Sequence, residues 1–554
     1  MRYSFIRRSR DGSQRHPHPP TFLQQSLASF FPSASFFPAL LILLLPQASR
    51  RTSSRGEELL IERWLRRALN KEDAGMDSTR EPLISGGRTY EEYSVWAAIF
   101  PFLFPALGGL LYGYDIGATS GATISIESST LSGTTWYDLS SVEIGLVVSG
   151  SLYGALIGSA LAFTVADFLG RRRELIVSSL LYLVGALLTA LAPNFPIMVI
   201  GRFVFGIGIG LAMHAAPMYI AETAPCQIRG RLISLKEFFI VLGMLLGYSA
   251  SSLYIDLVSG WRYMYGTSAP LALIMGIGMW WLPPSPRWLL LCAIQGKGNL
   301  QDVRQYAICC LCRLRGRSVD DSAAEQINEI LIELSYAEEE KEASIWEVFQ
   351  GKCLKALIIG AGLVFFQQVT GQPSVLYYAA TILKTAGFSA ASDATRVSIL
   401  IGLLKLIMTG VAVLAVDRLG RRPLLIGGVS GIAISLFLLS SYYTFLKDAP
   451  LMAVIALLLY VSCYQLSFGP IGWLMISEIF PLRLRGRGLS IAVLVNFASN
   501  ALVTFSFSPL TALLGAGILF ATFGVIAVFS LLFIFFIVPE TKGLSLEEIE
   551  AKLL

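Results

Sequence analysis

The chain has 554 residues, of which 54% are hydrophobic and only 15% charged, whereas soluble domains carry about 25% charged residues. This composition excludes a water-soluble globule, and the long apolar stretches between residues 95 and 538 exclude a β-barrel, whose strands give short alternating segments. The net charge of +5 does not indicate nucleic-acid binding, because the basic residues form no continuous face with stacking aromatic residues.

The first 75 residues differ from the rest of the chain. Residues 1–56 hold eight arginines and a single acidic residue, a composition typical of an organellar transit peptide. Their apolar run, residues 36–45, is too short to span a membrane. Met76 offers a second start before a polar cytosolic leader, residues 76–94. The sequence leaves open whether residues 1–75 are a cleaved address or an upstream extension of the reading frame.

Twelve apolar stretches are long enough to cross a membrane as helices. Six of them form an N-terminal bundle (95–283), and six form a C-terminal bundle (354–538). Between the bundles lies a hydrophilic cytosolic linker (284–353) with an amphipathic helix, and a cytosolic tail (539–554) follows. The predicted fold is therefore an all-α membrane protein of twelve transmembrane helices in two six-helix repeats. The predicted spans are residues 95–118, 142–165, 174–193, 197–219, 233–256, 265–283, 354–381, 396–417, 424–444, 450–477, 489–512 and 517–538.

Basic residues concentrate in alternate loops between these spans. By the positive-inside rule, the loops that are rich in arginine face the cytosol. Those loops hold Arg171, Arg172, Arg173, Arg229, Arg231, Arg418, Arg421, Arg422, Arg483, Arg485 and Arg487, whereas the opposite loops hold only Arg262, Lys384, Arg396 and Lys447.

Two motifs occur once in each half of the chain. The motif Asp-x-x-Gly-Arg-Arg starts at Asp167 and again at Asp417, 250 residues later. A glutamate followed by Arg-Gly-Arg occurs at Glu222 and again at Glu478, 256 residues later. Two motifs with nearly the same offset indicate duplicated halves related by an axis along the membrane normal. Such repeats are typical of transporters that work by alternating access.

The charges of these motifs predict a cytosolic gate. Acidic and basic side chains at neighbouring helix ends can form ion pairs that break when the protein opens toward the cytosol. The alternative is that the arginines only set the topology, although this leaves the matching acidic residues unexplained. The predicted gate residues are Asp167, Arg171, Glu222, Arg229, Asp417, Arg421, Glu478 and Arg485.

Seven ordered motifs give the chain a resemblance to a known family. They are Gly-Tyr-Asp-Ile-Gly-Ala-Thr-Ser-Gly (113–121), Pro-Met-Tyr-Ile-Ala-Glu (217–222), Pro-Ser-Pro-Arg-Trp (284–288), Gln-Gln with a later glycine (367–371), Gly-Pro-Ile-Gly-Trp (469–473), Glu-Ile-Phe-Pro (478–481) and Pro-Glu-Thr-Lys-Gly (539–543). From about residue 95 to 545 the chain resembles the sugar porters of the major facilitator superfamily. Within them it is similar to plant xylose-proton-symporter-like and vacuolar glucose transporters.

The resemblance implies a secondary transporter that moves a monosaccharide, a hexose such as glucose or a pentose such as xylose, coupled to protons. It implies no enzyme activity and no cofactor. The expected partners are the sugar, protons and the lipid bilayer, with the chain a monomer. The expected location is the vacuolar membrane, with the plastid envelope and the plasma membrane as alternatives.

Asp115 lies within the first predicted span, where a charged side chain is costly and is by default functional. Arg202, in the fourth span, is its expected partner. One interpretation is a permanent structural ion pair. The other is that Asp115 binds a proton, with Arg202 favouring the ionised form when the two are close. Proton-coupled sugar porters carry an acidic residue at the position that Asp115 matches.

A sugar site needs many amide and hydroxyl partners together with an aromatic face. The seventh span supplies amides and tyrosines around Gly371 and Pro373, which predict a broken helix. In the tenth span, Gly469 and Pro470 precede Trp473 and predict a hinge. Isolated glutamines can instead hold helices together, and an interfacial tryptophan can simply anchor a helix. The resemblance to the family adds Asn496, Glu237 and Lys405 to this site. The two opposite charges, Glu237 and Lys405, either neutralise each other across the cavity or one of them titrates during transport. The predicted substrate-binding residues are Gln367, Gln368, Gln372, Tyr377, Tyr378, Trp473, Asn496, Glu237 and Lys405.

Other signals favour no further activity. The glycines at 206, 208 and 210 lie inside an apolar span, which favours close helix packing over dinucleotide binding. His214 lacks companions for a metal site and is interpreted as a packing or cavity residue. No Walker motif is present, so ATP-driven pumping is not predicted. An uncoupled facilitator, a proton/sugar antiporter and a sugar sensor remain the alternative functions.

Overall fold

The structure is a computed structural model that describes residues 95–224, 229–296, 299–315, 321–339, 349–388, 390–446, 449–480 and 485–542. The predicted N-terminal extension, its polar leader and most of the tail lie outside these ranges. So do the side chains of four predicted gate residues, Asp167, Arg229, Asp417 and Arg485.

All regular secondary structure in the described ranges is helical. In the first half the helices are α1 (Val95–Glu127), α2 (Ser141–Leu169), α3 (Arg171–Ala190), α4 (Phe195–Thr223), α5 (Arg229–Tyr254), α6 (Gly260–Gly266) and α7 (Ser268–Trp281). The linker contains α8 (Pro286–Ile294), α9 (Leu300–Arg315) and α10 (Asp321–Glu339). The second half contains α11 (Gly351–Val369), α12 (Gln372–Tyr377), α13 (Ala379–Thr385), α14 (Ala391–Leu419), α15 (Arg421–Phe445), α16 (Pro450–Leu466), α17 (Phe468–Ile479), α18 (Arg485–Leu514) and α19 (Ala516–Ile537).

The helices group into six membrane-crossing units on each side of the linker. Ten stretches of the described helices are long and apolar enough to cross a membrane. The remaining two units are α1 and the consecutive pair α6 and α7. In three units a short break divides the helix into consecutive segments. These units are α6 with α7, α11 with α12 and α13, and α16 with α17.

Glycines permit the tight hairpins that carry the repeated acidic and basic motif. Gly170 joins α2 to α3 with φ 80°, and Gly420 joins α14 to α15 with φ 94°. Only glycine adopts this region readily, because it lacks a Cβ. Each hairpin therefore turns within one residue and places its arginines at the start of the next helix.

Helices α2 and α4 approach each other through glycines. A Cβ atom on Gly206 would overlap the Ser151 carbonyl, and one on Gly210 would overlap the Ala155 carbonyl. In a membrane, where apolar surface gives little drive for association, such close backbone packing is a main source of helix–helix attraction. The interpretation of this glycine run as a packing motif is confirmed.

The break in the tenth unit differs from the predicted hinge at Gly469 and Pro470. The helix is interrupted earlier, at Ser467, which has φ −108° and ψ −89°. Pro470 lies in the first turn of α17, where the missing N–H has no partner to lose and the fixed φ suits a helix. Proline here starts a helix and does not itself break one.

The linker helices pack against one another. The amphipathic stretch predicted around residues 323–334 lies in α10, which buries Ala323, Ile327 and Leu334 against α8 and α9. Arg304 of α9 donates to Asn328 of α10 at 2.8 Å. The apolar face of α10 is therefore covered by its own neighbours.

The two halves meet on the side remote from the arginine-rich loops. The Ala380 amide donates to Ser120 Oγ at 2.9 Å, and the Tyr248 hydroxyl donates to the Leu376 carbonyl at 2.7 Å. Gly402 of α14 packs against Tyr248 as well. Ser120, Tyr248 and Ala380 lie toward the helix ends remote from the cytosolic loops, and Gly402 lies in the non-cytosolic half of α14. The structure is thus closed on the non-cytosolic side.

Candidate transport site

Asp115 and Arg202 form a buried ion pair within the first half. Arg202 Nη1 contacts Asp115 Oδ1, and the two residues are only 1% and 3% exposed, respectively. Ser151 of α2 joins the pair, since its hydroxyl donates to Asp115 Oδ2 at 2.9 Å and accepts from Arg202 Nη2 at 3.1 Å. The pair expected from the sequence is therefore present, with α1, α2 and α4 each contributing one polar side chain.

Arg202 is held by contacts beyond the carboxylate. Its Nε donates to the Val147 carbonyl at 3.0 Å, and Nη2 lies 3.3 Å from the Val148 carbonyl. The guanidinium carbon lies 5.0 Å from the centre of the Tyr265 ring. A small cavity lined by Tyr114, Asp115, Thr189, Arg202, Tyr265 and Ser268 borders the pair. The guanidinium thus keeps several partners whether or not Asp115 is ionised.

A second polar cluster lies in the other half, where α11 ends. Gln367 Nε2 donates to the Phe468 carbonyl at 2.9 Å, and Gln368 Nε2 donates to Asn496 Oδ1 at 2.7 Å. Within the part of the chain that the structure describes, Oε1 of each glutamine is buried without a hydrogen-bond partner. Buried acceptors without partners are uncommon, and each needs a ligand or water. The amide donors are therefore fixed while the acceptors remain available.

The tyrosines of the broken seventh unit have different environments. The buried Tyr377 hydroxyl has no hydrogen-bond partner of normal geometry among the described residues, and it faces Ser151 together with the Asp115 pair. The Tyr378 hydroxyl donates to the Thr504 carbonyl at 3.3 Å, so its polar atom is already used within its own half. Gln372 begins α12 and is half-buried.

Trp473 lies on α17, directly after Gly472, which contacts the glutamine cluster. Its side chain is half-buried and packs against the hydrophobic core. A Cβ atom added to the neighbouring Gly472 would lie 3.6 Å from Gln367 Oε1. The residue before Trp473 thus lies at an available amide acceptor, and a sugar ring needs such an acceptor together with an aromatic face.

The two extra charges do not pair in this conformation. Glu237 is 48% exposed and lies 3.6 Å from Lys236. Lys405 is buried, and its Nζ lies 5.5 Å from the centre of the Tyr464 ring. Among the described residues, no ion pair within 4.0 Å joins Glu237 to Lys405. The suggested neutralisation across the cavity is therefore absent from this conformation, in which Glu237 is turned toward Lys236 and Lys405 toward the Tyr464 ring.

Among the described side chains, the cytosolic ends carry one arginine–glutamate ion pair in each half. Arg171 Nε lies 3.0 Å from Glu222 Oε1, and Arg421 Nη2 lies 3.1 Å from Glu478 Oε1. Each pair joins helices of the same half and does not cross between the halves. The equivalent contacts of Asp167, Arg229, Asp417 and Arg485 lie outside the described side chains.

Comparison with known proteins identifies the family. Residues 102–553 match the family described as "Sugar (and other) transporter". The chain belongs to this family. It is 71% identical over 488 residues, 88% of this chain and 97% of the relative, to "D-xylose-proton symporter-like 2" of Arabidopsis thaliana. It is 65% identical over 467 residues, 84% of each chain, to "D-xylose-proton symporter-like 3, chloroplastic" of the same plant.

A solved sugar transporter shares the architecture. The inward open conformation of the xylose transporter XylE from E. coli gives a TM-score of 0.67 at 31% identity, covering 81% of this chain and 98% of that chain. These comparisons confirm the twelve-helix major facilitator fold, the family resemblance and a transporter rather than an enzyme. The protein is a multi-pass membrane protein.

Two residues of this candidate site were missed by the sequence interpretation. Ser151 contacts both members of the ion pair, yet nothing distinguishes it from the other small residues of α2. Tyr112 packs its ring edge-on against Phe497 of the other half at 6.3 Å between centroids. It lies directly before the glycine–tyrosine–aspartate motif, and this position was the only available signal.

His214 has a partner that the sequence did not suggest. Its Nδ1 lies 3.1 Å from Oε1 of Glu174, a completely buried residue of α3. The described residues contain no group of histidine, cysteine or acidic side chains suited to a metal ion.

Proposed function

We propose that this protein transports a monosaccharide, a pentose such as xylose or a hexose such as glucose, by alternating access coupled to protons. One arrangement carries the proposal. Tyr377 of the broken seventh unit faces the Asp115–Arg202 pair of the other half, and the available oxygens of Gln367 and Gln368 lie on the same unit, just before its break. The names of the Arabidopsis and E. coli relatives support both the sugar and the proton.

The sugar binds through the glutamine cluster. An unpartnered buried acceptor costs about 1–3 kcal/mol, and sugar hydroxyls are donors that remove this cost at Gln367 and Gln368. Trp473 covers the apolar face of the sugar ring. Gln372, Tyr377, Tyr378, Asn496, Glu237 and Lys405 complete the proposed surroundings of the sugar.

The proton binds to Asp115. Protonation removes the charge that holds the carboxyl group to Arg202, while Arg202 keeps its bonds to the Val147 and Val148 carbonyls. Ser151 is then freed from the carboxylate and can turn toward Tyr377. A change of protonation in the first half is in this way transmitted to the sugar site of the second half.

The cytosolic ion pairs act as the gate that accompanies this change. Arg171 with Glu222 and Arg421 with Glu478 each tie two helix ends within one half. These ties break as the halves rock about the central site toward the state open to the cytosol. We include Asp167, Arg229, Asp417 and Arg485 in the same gate on the basis of the repeat.

Transport into proteoliposomes tests this function. With radiolabelled xylose or glucose and a proton gradient directed inward, a symporter accumulates sugar above the external concentration, and a protonophore abolishes the accumulation. A facilitator equilibrates the sugar without accumulation, an antiporter requires the opposite gradient, and a sensor binds sugar without flux. Any of these three results would replace the symport mechanism.

For the location we propose the vacuolar membrane, with a monomeric chain. The plastid envelope is the alternative supported by the relative named as chloroplastic. Fractionation of plant cells with markers for both membranes distinguishes the two locations. Light scattering of the purified protein measures its mass and thus tests the monomer.

A further inference from the structure

Both halves build the same hydrogen-bond network at their cytosolic ends. In each half a glutamate pairs with the first arginine after the hairpin glycine, and a hydroxyl from the segment after the last helix donates to the same glutamate. In the first half, Ser285 Oγ lies 2.5 Å from Glu222 Oε2. In the second, Thr541 Oγ1 lies 2.6 Å from Glu478 Oε2. The two hydroxyl residues are separated by the same 256 positions as the two glutamates.

The second arginine after each hairpin glycine repeats as well. Arg172 Nη2 donates to the Trp280 carbonyl at 2.5 Å, and Arg422 Nη2 donates to the Phe535 carbonyl at 2.6 Å. In both halves this bond ties the start of the third helix to the end of the sixth. The repeat thus extends from sequence to individual hydrogen bonds.

One position breaks the repeat. The residue before the hydroxyl is Glu540 in the second half and Pro284 in the first. Glu540 accepts from the backbone amides of Arg421 at 3.1 Å and Arg422 at 3.0 Å. Burial raises the pKa of Glu540, but four backbone N–H groups outweigh this effect and hold the pKa below its usual value. A carboxylate therefore caps the N-terminus of α15, where the helix dipole favours negative charge.

The first half has a cleft at the corresponding place. It has a volume of about 120 Å³ and is lined by Arg171, Arg172, Arg173, Pro284, Ser285 and Tyr306. The Trp288 ring covers Gly170 at its base. Pro284 cannot supply a carboxylate. The cleft is therefore bordered by the N-terminus of the 20-residue helix α3 and by the exposed Arg173, with no carboxylate from position 284.

We propose that this cleft binds a phosphate group at the cytosolic membrane surface. In the second half, the carboxylate of Glu540 occupies the same position of the repeat. This backbone arrangement therefore holds an anion there. A phosphate carries more charge than a carboxylate and has three acceptor oxygens for arginine and backbone donors. The phosphate comes either from an anionic lipid headgroup or from a soluble phosphate compound. The site is independent of which sugar is transported.

Thermal unfolding of the purified full chain tests the site in two arms. In the first arm, the protein in zwitterionic phosphatidylcholine nanodiscs is titrated with inorganic phosphate, against sodium chloride at equal ionic strength. In the second arm, nanodiscs that contain phosphatidylinositol are compared with pure phosphatidylcholine. We expect the unfolding temperature to rise by about 3 °C or more in at least one arm. A rise with phosphate indicates a soluble ligand, and a rise only with phosphatidylinositol indicates a lipid headgroup.

Three variants show whether the response comes from this cleft. Pro284→Glu supplies the carboxylate that the repeat lacks, so it should raise the unfolding temperature without ligand and remove the response. Arg173→Gln, at an exposed side chain, should retain the fold and at least halve the response. Arg396→Gln, at an exposed arginine of the opposite side, should respond as the unmodified chain does. No rise in either arm, or an equal rise in Arg173→Gln and Arg396→Gln, would overturn the proposal.

Discussion

Asp115 is the residue on which proton coupling depends. Asp115→Asn keeps the size of the side chain and an acceptor for Arg202 and Ser151, but it removes the titratable charge. We expect sugar exchange to continue and proton-driven accumulation to disappear. Because Arg202 loses its counter-ion, stability should fall, by less than the 3–5 kcal/mol typical of a broken buried pair, since Arg202 keeps its backbone carbonyl partners.

The matched control for this variant is Asp393→Asn, the same chemical change at an exposed aspartate 3.5 Å from Arg396. Uptake with and without a proton gradient, measured in proteoliposomes for both variants, separates coupling from general damage. Accumulation by Asp115→Asn at the level of Asp393→Asn would eliminate Asp115 as the coupling group.

Gln367 and Gln368 should govern sugar affinity rather than folding. Alanine at either position removes an acceptor that has no protein partner, so the folded state loses only one amide donor bond. A hydrogen bond of this kind contributes about 0.5–1.5 kcal/mol, and we expect sugar binding to weaken three- to tenfold per substitution. Titration calorimetry measures the affinity, with Gln301→Ala on the exposed surface of α9 as control. Unchanged affinity in both variants would show that the sugar binds elsewhere.

The sequence allowed part of this site to be predicted. Charges such as Asp115 and Arg202 stand out because lipid excludes unpaired charge. Adjacent glutamines beside a helix-breaking glycine stand out because polar residues within a membrane span are also costly. Ser151 and Tyr112 could not be found, because their role depends only on which helices lie side by side. That arrangement is a property of tertiary packing and leaves no local pattern.

At the scale of the helix, Gly371 sets the break in the seventh unit. It has φ 93°, and a Cβ there would lie 2.8 Å from the Phe523 ring. Gly371→Ala should therefore destabilise the protein by at least about 1 kcal/mol and weaken sugar binding, because the glutamines precede the break. Gly410→Ala on α14, where an added Cβ meets nothing within 4 Å, should be neutral or stabilising. Thermal unfolding of both variants checks this role of Gly371. Equal stability of the two variants would contradict it.

Glu540 stabilises the start of α15 in a pH-dependent way. Since its pKa in the folded protein lies below the ordinary value of 4.5, its contribution is present above that value and is lost as the pH falls through the lower, folded-state pKa. Glu540→Gln should thus be less stable than the unmodified chain at neutral pH, and the difference should shrink in acid. Unfolding temperatures measured from pH 7 to below pH 4.5 test this, with Glu325→Gln on the exposed face of α10 as control. A difference that stays constant with pH would contradict the cap.

Helix breaks were predicted less accurately than helices. A Gly-Pro pair indicates a nearby interruption but not its position, because proline is equally suited to the first turn of the helix that follows. The break at Ser467 therefore lies before Gly469 and Pro470. In the seventh unit, by contrast, Gly371 adopts a conformation that only glycine accepts readily, and the break lies where the sequence indicated.

For the whole molecule, apolar length was sufficient to predict twelve spans, because a bilayer requires about 20 apolar residues per helix. The repeat predicted two matching halves. The conformation in which the halves meet could not be predicted, since one sequence must adopt at least two arrangements that differ by only a few kcal/mol. The contacts of Ser120, Tyr248 and Gly402 are features of one such arrangement.

Gly402 should control whether the non-cytosolic side can close. An added Cβ on this residue would lie 3.0 Å from Tyr248 and 3.2 Å from Leu245 of the other half. A leucine side chain cannot fit there without separating the halves, and overpacking of this kind costs about 1–3 kcal/mol. Because only the closed arrangement carries this cost, Gly402→Leu should shift the protein toward the state open on the non-cytosolic side.

The measurable result is a separation of binding from transport. Gly402→Leu should still bind sugar, while counterflow falls about fivefold or more, in line with that free-energy cost. Gly410→Leu, on the same helix at a position with open space, should transport normally. If Gly402→Leu and Gly410→Leu transport equally well, the contact between α14 and α5 does not have to form during the cycle. In that case closure must depend on other contacts between the halves, such as the bond from Ala380 to Ser120.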